Sequence, residues 1–103
     1  LELEAAKRPV GVPAAPSTFR ARATEFEGRV ELRWKRPVRR CVFQVEMTRD
    51  PAAATGWENV GTCLRQKFVV PGLKGGEKCW FRVRAFNAHG PGPWSNVACA
   101  RAM

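Results

Sequence analysis

The chain has 103 residues, enough for one modest hydrophobic core and too few for two. Apolar residues make up 45% and charged residues 26%, both ordinary for a globular domain, but 18 Lys and Arg stand against 9 Asp and Glu, a formal net charge of +9. That surplus favours acidic partners, whether nucleic acid, an acidic polysaccharide or an acidic protein face; no apolar run approaches the ~20 residues of a membrane helix, which argues against membrane insertion. No basic-then-apolar leader opens the sequence.

In chain order, residues 1–8 are good helix formers but too few to hold a helix alone, and they read as a tail. Pro9, Pro13 and Pro16 make the next stretch an extended linker. Residues 1–12 are accordingly assigned to an N-terminal tail or linker and residues 13–103 to one domain. Short alternating segments follow, parted by turn residues every ~10 positions, which is the pattern of a β-sandwich. Phe19, Ala21 and Ala23 alternate with Arg20 and Arg22; Val30, Leu32 and Trp34 alternate with Arg29, Glu31, Arg33 and Lys35; Phe43, Val45 and Met47 alternate with Gln44 and Glu46. Trp57 to Val60 is a short edge segment after the Asp50–Gly56 turn. Phe68 and Val70 lead through Pro71-Gly72-Leu73 and Gly75-Gly76 into Cys79–Phe86, where Cys79, Phe81, Val83 and Ala85 share one face and Trp80, Arg82 and Arg84 the other. Trp94 to Arg101 closes the series, giving seven short strands, no internal helix and an all-β sandwich.

Several of these pieces fall in a known order. Pro13-x-x-Pro16, Val30-Glu-Leu-Arg-Trp34, Phe43-Gln-Val45, Leu73-Lys-Gly-Gly76, Cys79-Trp-Phe-Arg-Val-Arg-Ala-Phe-Asn87 and the following Gly-Pro-Gly-Pro-Trp-Ser together resemble a fibronectin type III domain over residues 13–103. The Cys79–Asn87 stretch and its Gly/Pro/Trp-Ser continuation are most similar to modules of bacterial and phage proteins. The resemblance implies an immunoglobulin-like sandwich, strands A-B-E against C′-C-F-G, with Trp34 at the centre of the core. One position departs from the family pattern: its corner tyrosine falls at Cys79, and the chain contains no Tyr. Another group must fasten the start of strand F.

The cysteines offer one. The F–G hairpin centres near His89, which puts Cys99 opposite Cys79, and the C–C′ hairpin centres near residue 52 or 53, a range that includes the register setting Cys63 opposite Cys41. Disulfides Cys41–Cys63 and Cys79–Cys99 are therefore expected, each closing a loop worth roughly 3 kcal/mol, with four reduced core thiols as the alternative. Bridges would place the protein in an oxidising setting: extracellular, on a cell surface or on a virion. No Cys or His pair has the spacing of a zinc site, and no metal or other cofactor is expected.

Two faces are candidate binding sites. Trp80, Arg82, Arg84 and Trp94 resemble half of the Trp/Arg ladder of cytokine-receptor modules, with Glu46 as a counter-ion on the neighbouring strand. On the other sheet Arg20, Arg22, Arg29, Arg33, Lys35 and Lys67 face a single Glu31, and Arg36, Arg39 and Arg40 extend the positive surface. Six cations can track a polyanion, although no aromatic is interleaved with them for base stacking. Catalysis finds little: His89, the only histidine, sits at a loop tip without an orienting partner, and no nucleophile motif or phosphate-binding loop occurs. The Arg-Gly-Asp of integrin-binding family members is absent. The expectation is a non-enzymatic, monomeric module, a spacer or protein-interaction domain of a larger extracellular, surface or virion protein, with polyanion binding on the A-B-E face as the alternative.

Overall fold

The computed structural model describes residues 11–52 and 56–103; the tail expected over residues 1–8 and the middle of the Asp50–Gly56 turn lie outside them. Eight strands form, β1 (Ser17–Ala23), β2 (Val30–Lys35), β3 (Val42–Thr48), β4 (Glu58–Cys63), β5 (Lys67–Val70), β6 (Lys78–Asn87), β7 (Gly90–Pro91) and β8 (Ala98–Arg101). One antiparallel sheet runs β1-β2-β5; the other runs β4-β3-β6, with β7 and β8 both paired to β6. These are the expected A-B-E and C′-C-F-G layers, with strand G broken in two.

The period-2 pattern explains both layers. Val30, Leu32, Phe43, Val45, Phe81, Val83 and Ala85 are wholly buried between the sheets, while their polar neighbours point outwards. Trp34 lies at the centre, its ring centroid 6.1 Å from that of Phe19 and 5.2 Å, edge-on, from that of Phe43. Such aromatic contacts contribute about 0.5–1.5 kcal/mol each beyond area burial. They offset the cost of the indole Nε1, which is buried without a hydrogen-bond partner among the described residues.

Strand G breaks because Pro91 and Pro93 bring no N–H to the ladder. β6 keeps its bonds across the gap: Gly92 N donates to Ala85 O (2.8 Å), Ser95 N to Val83 O (2.8 Å), and Val83 N to Ser95 Oγ (3.0 Å). The price is register. At the turn Asn87 faces Gly90, whereas at the far end Cys79 faces Ala100 and Trp80 faces Cys99.

The expected Cys79–Cys99 bridge is overturned at the turn itself, which centres between Ala88 and His89 and so sets the two cysteines on opposite faces; the two-residue slip keeps that parity. Cys79 points into the core and Cys99 is exposed on the outer face, so the two sulfurs lie on opposite sides of one sheet. The Cys41–Cys63 bridge is not formed either. Cys63 faces Phe43, two residues past Cys41, and Arg36 lies on Cys41, its Nη1 3.9 Å from Cys41 Sγ. All four cysteines are free thiols. The start of β6 is fastened by the C-terminal strand instead. Arg101 Nη1 donates to Gly76 O (2.7 Å), Gly76 N to Ala102 O (2.8 Å) and Ala102 N to Glu77 O (3.1 Å), and Arg49 pairs with Glu77.

The chain enters the sandwich along the β6–β7 turn, where Asn87 Nδ2 donates to Gly11 O (2.8 Å) and Val12 and Pro13 are buried. It leaves at the opposite end, where Gly28 N donates to Met103 O (3.0 Å).

Candidate functional site

The outer face of the β4-β3-β6 sheet carries a stacked cluster. Alternation along β6 projects Arg82 and Arg84 outwards, and the segment after β7 lays Trp94 across both, with guanidinium carbons 4.1 and 4.4 Å from its ring centroid. A second indole, Trp57, covers the other side of Arg82 at 4.3 Å. Arg82 faces Glu46 across the β3–β6 ladder, and its Nε (3.0 Å) and Nη2 (2.6 Å) both donate to Glu46 Oε1. Arg84 Nε donates to Gln44 Oε1 (2.8 Å). The order is Trp57–Arg82–Trp94–Arg84, with Glu46 as the counter-ion.

Trp80 stands apart from this stack. It lies one pair further along β6, opposite Thr48 and Cys99, and its ring takes the Lys78 ammonium at 5.4 Å. Trp57 was the missing member: a C–C′ hairpin centre at residue 52 would set it opposite Met47 on the core face, and the observed pairing of Met47 with Glu58 is what leaves it on the outer face beside Arg82. Chemically the cluster is closed. Arg82 has both π-faces covered and its side donors committed to a carboxylate, which is the arrangement of a stabilising element.

The outer face of β1-β2-β5 is basic, as the alternation required. Register sets Arg20, Arg33 and Lys67 in one row across the three strands, and Arg22, Glu31 and Val69 in the next. Arg29 lies beyond β2's start, over the Phe26 ring at 5.4 Å, and Lys35 at β2's other end faces Ser17. Glu31 is buried beneath its neighbours, paired with Arg33 and, at 3.5 Å, with Arg22. The Arg33 hydrogen bond holds its carboxyl below the usual carboxylate range, against the opposing effect of burial. Glu31 thus neutralises part of the face and leaves Arg20, Lys35 and Lys67 without a carboxylate among the described residues.

The thiols differ in setting. Burial pushes Cys63 and Cys79 up from the ordinary thiol range, which disfavours the nucleophilic thiolate. His89 is exposed at the β6–β7 turn, its backbone N donating to Asn87 Oδ1 (2.8 Å) and its ring against Gly11. Among the described residues no three His, Cys, Asp or Glu side chains are grouped as metal ligands, and no helix is long and apolar enough to cross a membrane.

Two antiparallel sheets in this order, closed over a central tryptophan, define an immunoglobulin-like β-sandwich. The particular fold is the fibronectin type III fold. The chain superposes on the FN3 domain FN3tt with a TM-score of 0.78 at 18% identity, over 90% of this chain and 97% of that one. A Fn3-like protein from Clostridium thermocellum gives 0.77 at 16% identity, over 88% and 94%. A structure of titin kinase and its flanking domains gives 0.70 at 25% identity, over 84% of this chain and 16% of that one. No family model matches the sequence, and no curated protein matches it.

Proposed function

We infer that the domain is a non-catalytic module of a larger protein, serving as a spacer that holds its neighbours apart and presents its sheet faces to protein partners. One observation carries this reading: the chain enters at the Gly11–Pro13 end and leaves beside Met103 and Gly28 at the other, so the sandwich can be strung in line. The sequence neighbours of the fold's two ends are then separated by the full length of the strands. The bridges that would have tied the protein to an oxidising compartment are absent, so the compartment forms no part of the proposal. Small-angle scattering on a tandem of two copies joined by the native 1–12 segment tests the spacer. A maximum dimension that grows by about one strand length per copy supports it; a tandem no longer than a single copy refutes it.

Polyanion binding on the β1-β2-β5 face is the second reading, favoured by the Arg20–Arg33–Lys67 row. Glu31 weighs against it by neutralising two of the six cations. Heparin and duplex DNA titrations across salt discriminate: a steep fall of log affinity with log salt supports polyanion binding, and no binding at 50 mM salt removes it.

A further inference from the structure

The charges are arranged unevenly along the sandwich. Glu25, Glu27, Asp50, Glu58 and Glu77 all sit at the end formed by the β1–β2, β3–β4 and β5–β6 connections, among Arg29, Arg49, Lys74, Lys78 and Arg101 and with Glu58 and Glu77 paired to Arg49, while Glu31 and Glu46 are mid-strand and paired with arginines. The other end, made by the β2–β3, β4–β5 and β6–β7 connections, carries Arg36, Arg39, Arg40 and Arg65 and no carboxylate among its described residues.

Arg36 builds that basic end. Its Nη2 donates to Leu64 O (2.7 Å), its Nη1 to Arg39 O (3.4 Å) and Cys41 O (3.5 Å), and its guanidinium lies 5.2 Å from the Phe43 ring centroid. The β2–β3 loop is thereby tied to the β4–β5 turn, and Arg39 and Arg40 are left exposed with no ion-pair partner among the described residues. Between them lies an open groove of about 510 Å³ floored by Val42, Leu64 and Phe86, with Leu64 66% exposed. It is apolar below and cationic at the rim.

The opposite end offers the complement. The Glu25-Phe26-Glu27 tip holds out a phenylalanine, 55% exposed, between two exposed carboxylates, with the Arg29 guanidinium 5.4 Å from its ring centroid. The tip is fixed. Phe26 N donates to Thr24 Oγ1 (3.0 Å), and Leu73 N donates to Gly28 O (2.9 Å). Gly28 adopts φ +74° with Leu73 O where a Cβ would stand.

We propose that the Glu25-Phe26-Glu27 tip of one copy docks into the Arg39/Arg40/Leu64 groove of a second copy, so that copies associate head to tail. Phe26 meets Leu64 and Phe86, and Glu25 and Glu27 meet Arg39 and Arg40. Tip and groove lie at opposite ends, so the contact is heterologous and does not close after two copies. Two grooves repel each other, which excludes groove-to-groove pairing. With one aromatic anchor and a small area, the dissociation constant is on the order of 0.1–1 mM, and salt weakens it. The monomer expected from sequence is then the dilute limit.

Sedimentation of the whole chain from 20 µM to 1 mM, in 50 and 500 mM NaCl, tests this. The weight-average mass rises with concentration at low salt and falls back several-fold in association constant at high salt. Phe26→Ser alone and Arg39→Glu with Arg40→Glu each abolish the rise; all three residues are exposed, and unchanged circular dichroism melts show that the fold is intact. Mixed in equal amounts, the two variants form a 1:1 dimer and nothing longer, because one keeps a groove and the other keeps a tip. A chain that stays monomeric at 1 mM in low salt overturns the proposal, as do variants that associate like the parent or that fail to pair when mixed. Saturable binding of a synthetic peptide containing Glu-Phe-Glu, without self-association, also overturns it and assigns the groove to an acidic segment of another protein.

Discussion

Arg82→Ala is the sharpest probe of the stacked cluster. The substitution removes a guanidinium held between Trp57 at 4.3 Å and Trp94 at 4.1 Å. Two such contacts, partly shielded from water, are worth about 1–2 kcal/mol together. It also strips both donors from Glu46, whose side chain is only 16% exposed. Leaving that carboxylate unpaired adds roughly 1–2 kcal/mol. The lower figure applies because Nε and Nη2 converge on one oxygen, short of a two-oxygen fork, and because Arg82 is itself a quarter exposed and screened. The expected loss is about 2–4 kcal/mol. Arg84→Ala breaks one stack and one bond to a neutral amide, and costs about 1 kcal/mol. At ~4–8 °C per kcal/mol for a domain of this size, Tm falls by roughly 8–32 °C in the first variant and roughly 4–8 °C in the second. Urea unfolding followed by tryptophan fluorescence gives the free energies, and a cycle with Glu46→Gln gives the coupling, expected at about 1–2 kcal/mol. Equal losses for Arg82→Ala and Arg84→Ala, or zero coupling to Glu46, would refute the reasoning.

Thiol titration under native conditions should label Cys99 fastest and Cys79 only on unfolding, with four thiols reacting in denaturant without reductant; two unreactive cysteines there would restore a bridge. Glu31 has a folded-state pKa below its unfolded value, so its contribution is fully present above the ordinary carboxylate range and is lost as pH falls through the folded value. The stability gap between the parent and Glu31→Gln should therefore shrink on acidification below about pH 4, and a gap that widens there would reverse the sign. Gly92→Ala places a Cβ 2.0 Å from Pro13 O and should cost about 3 kcal/mol. Gly72→Ala, at φ +74° with open space around it, should cost about 1–2 kcal/mol. Denaturant midpoints that rank the two glycine variants the other way would contradict the close approach at Gly92.

The layers and core were legible because they depend only on parity. Any residue on the right side of a period-2 pattern is buried whatever its exact partner, and so Val30, Leu32 and Trp34, Phe43, Val45 and Met47, and Cys79 through Ala85 fall where the alternation puts them. The basic face followed from the same rule. What parity did not reveal was Glu31's burial beneath Arg22 and Arg33, because a carboxylate on an outward position reads as solvated until its neighbours across the strands are known. The end of strand A was also less regular than its pattern: Ala23 is exposed, and a bulge with Thr18 at φ +55° shifts the register between Ser17 and Arg20.

Pairing across a hairpin is harder to read than parity, since one extra residue anywhere moves every partner beyond it to the other face. The centre at His89 was close enough to set Trp94 over Arg84, but the turn lies half a residue earlier, between Ala88 and His89, and that alone puts Cys99 on the opposite face from Cys79; the Pro91–Pro93 interruption adds a two-residue shift that keeps the faces as they are. In the C–C′ hairpin the turn-side pairs already stand one residue from the register that would join Cys41 to Cys63, and a slip between Val45 and Glu46 adds a second, so Cys63 faces Phe43. In both hairpins the expected register is already one residue off on the turn side of the irregularity. The extra residue, Val60, lies between Trp57 on the turn side and the Phe43–Cys63 pair at the far end, so with that pair fixed it sets where the second indole meets Arg82. Removing it tests that link. Deleting Val60, the residue that the ladder leaves without a partner, should give one register along β4 and draw Trp57 off Arg82, lowering stability by about the 1 kcal/mol of one stacking contact beyond the cost of the deletion in a Trp57→Ala background. If the deletion costs the same with and without the indole, the bulge does not position Trp57.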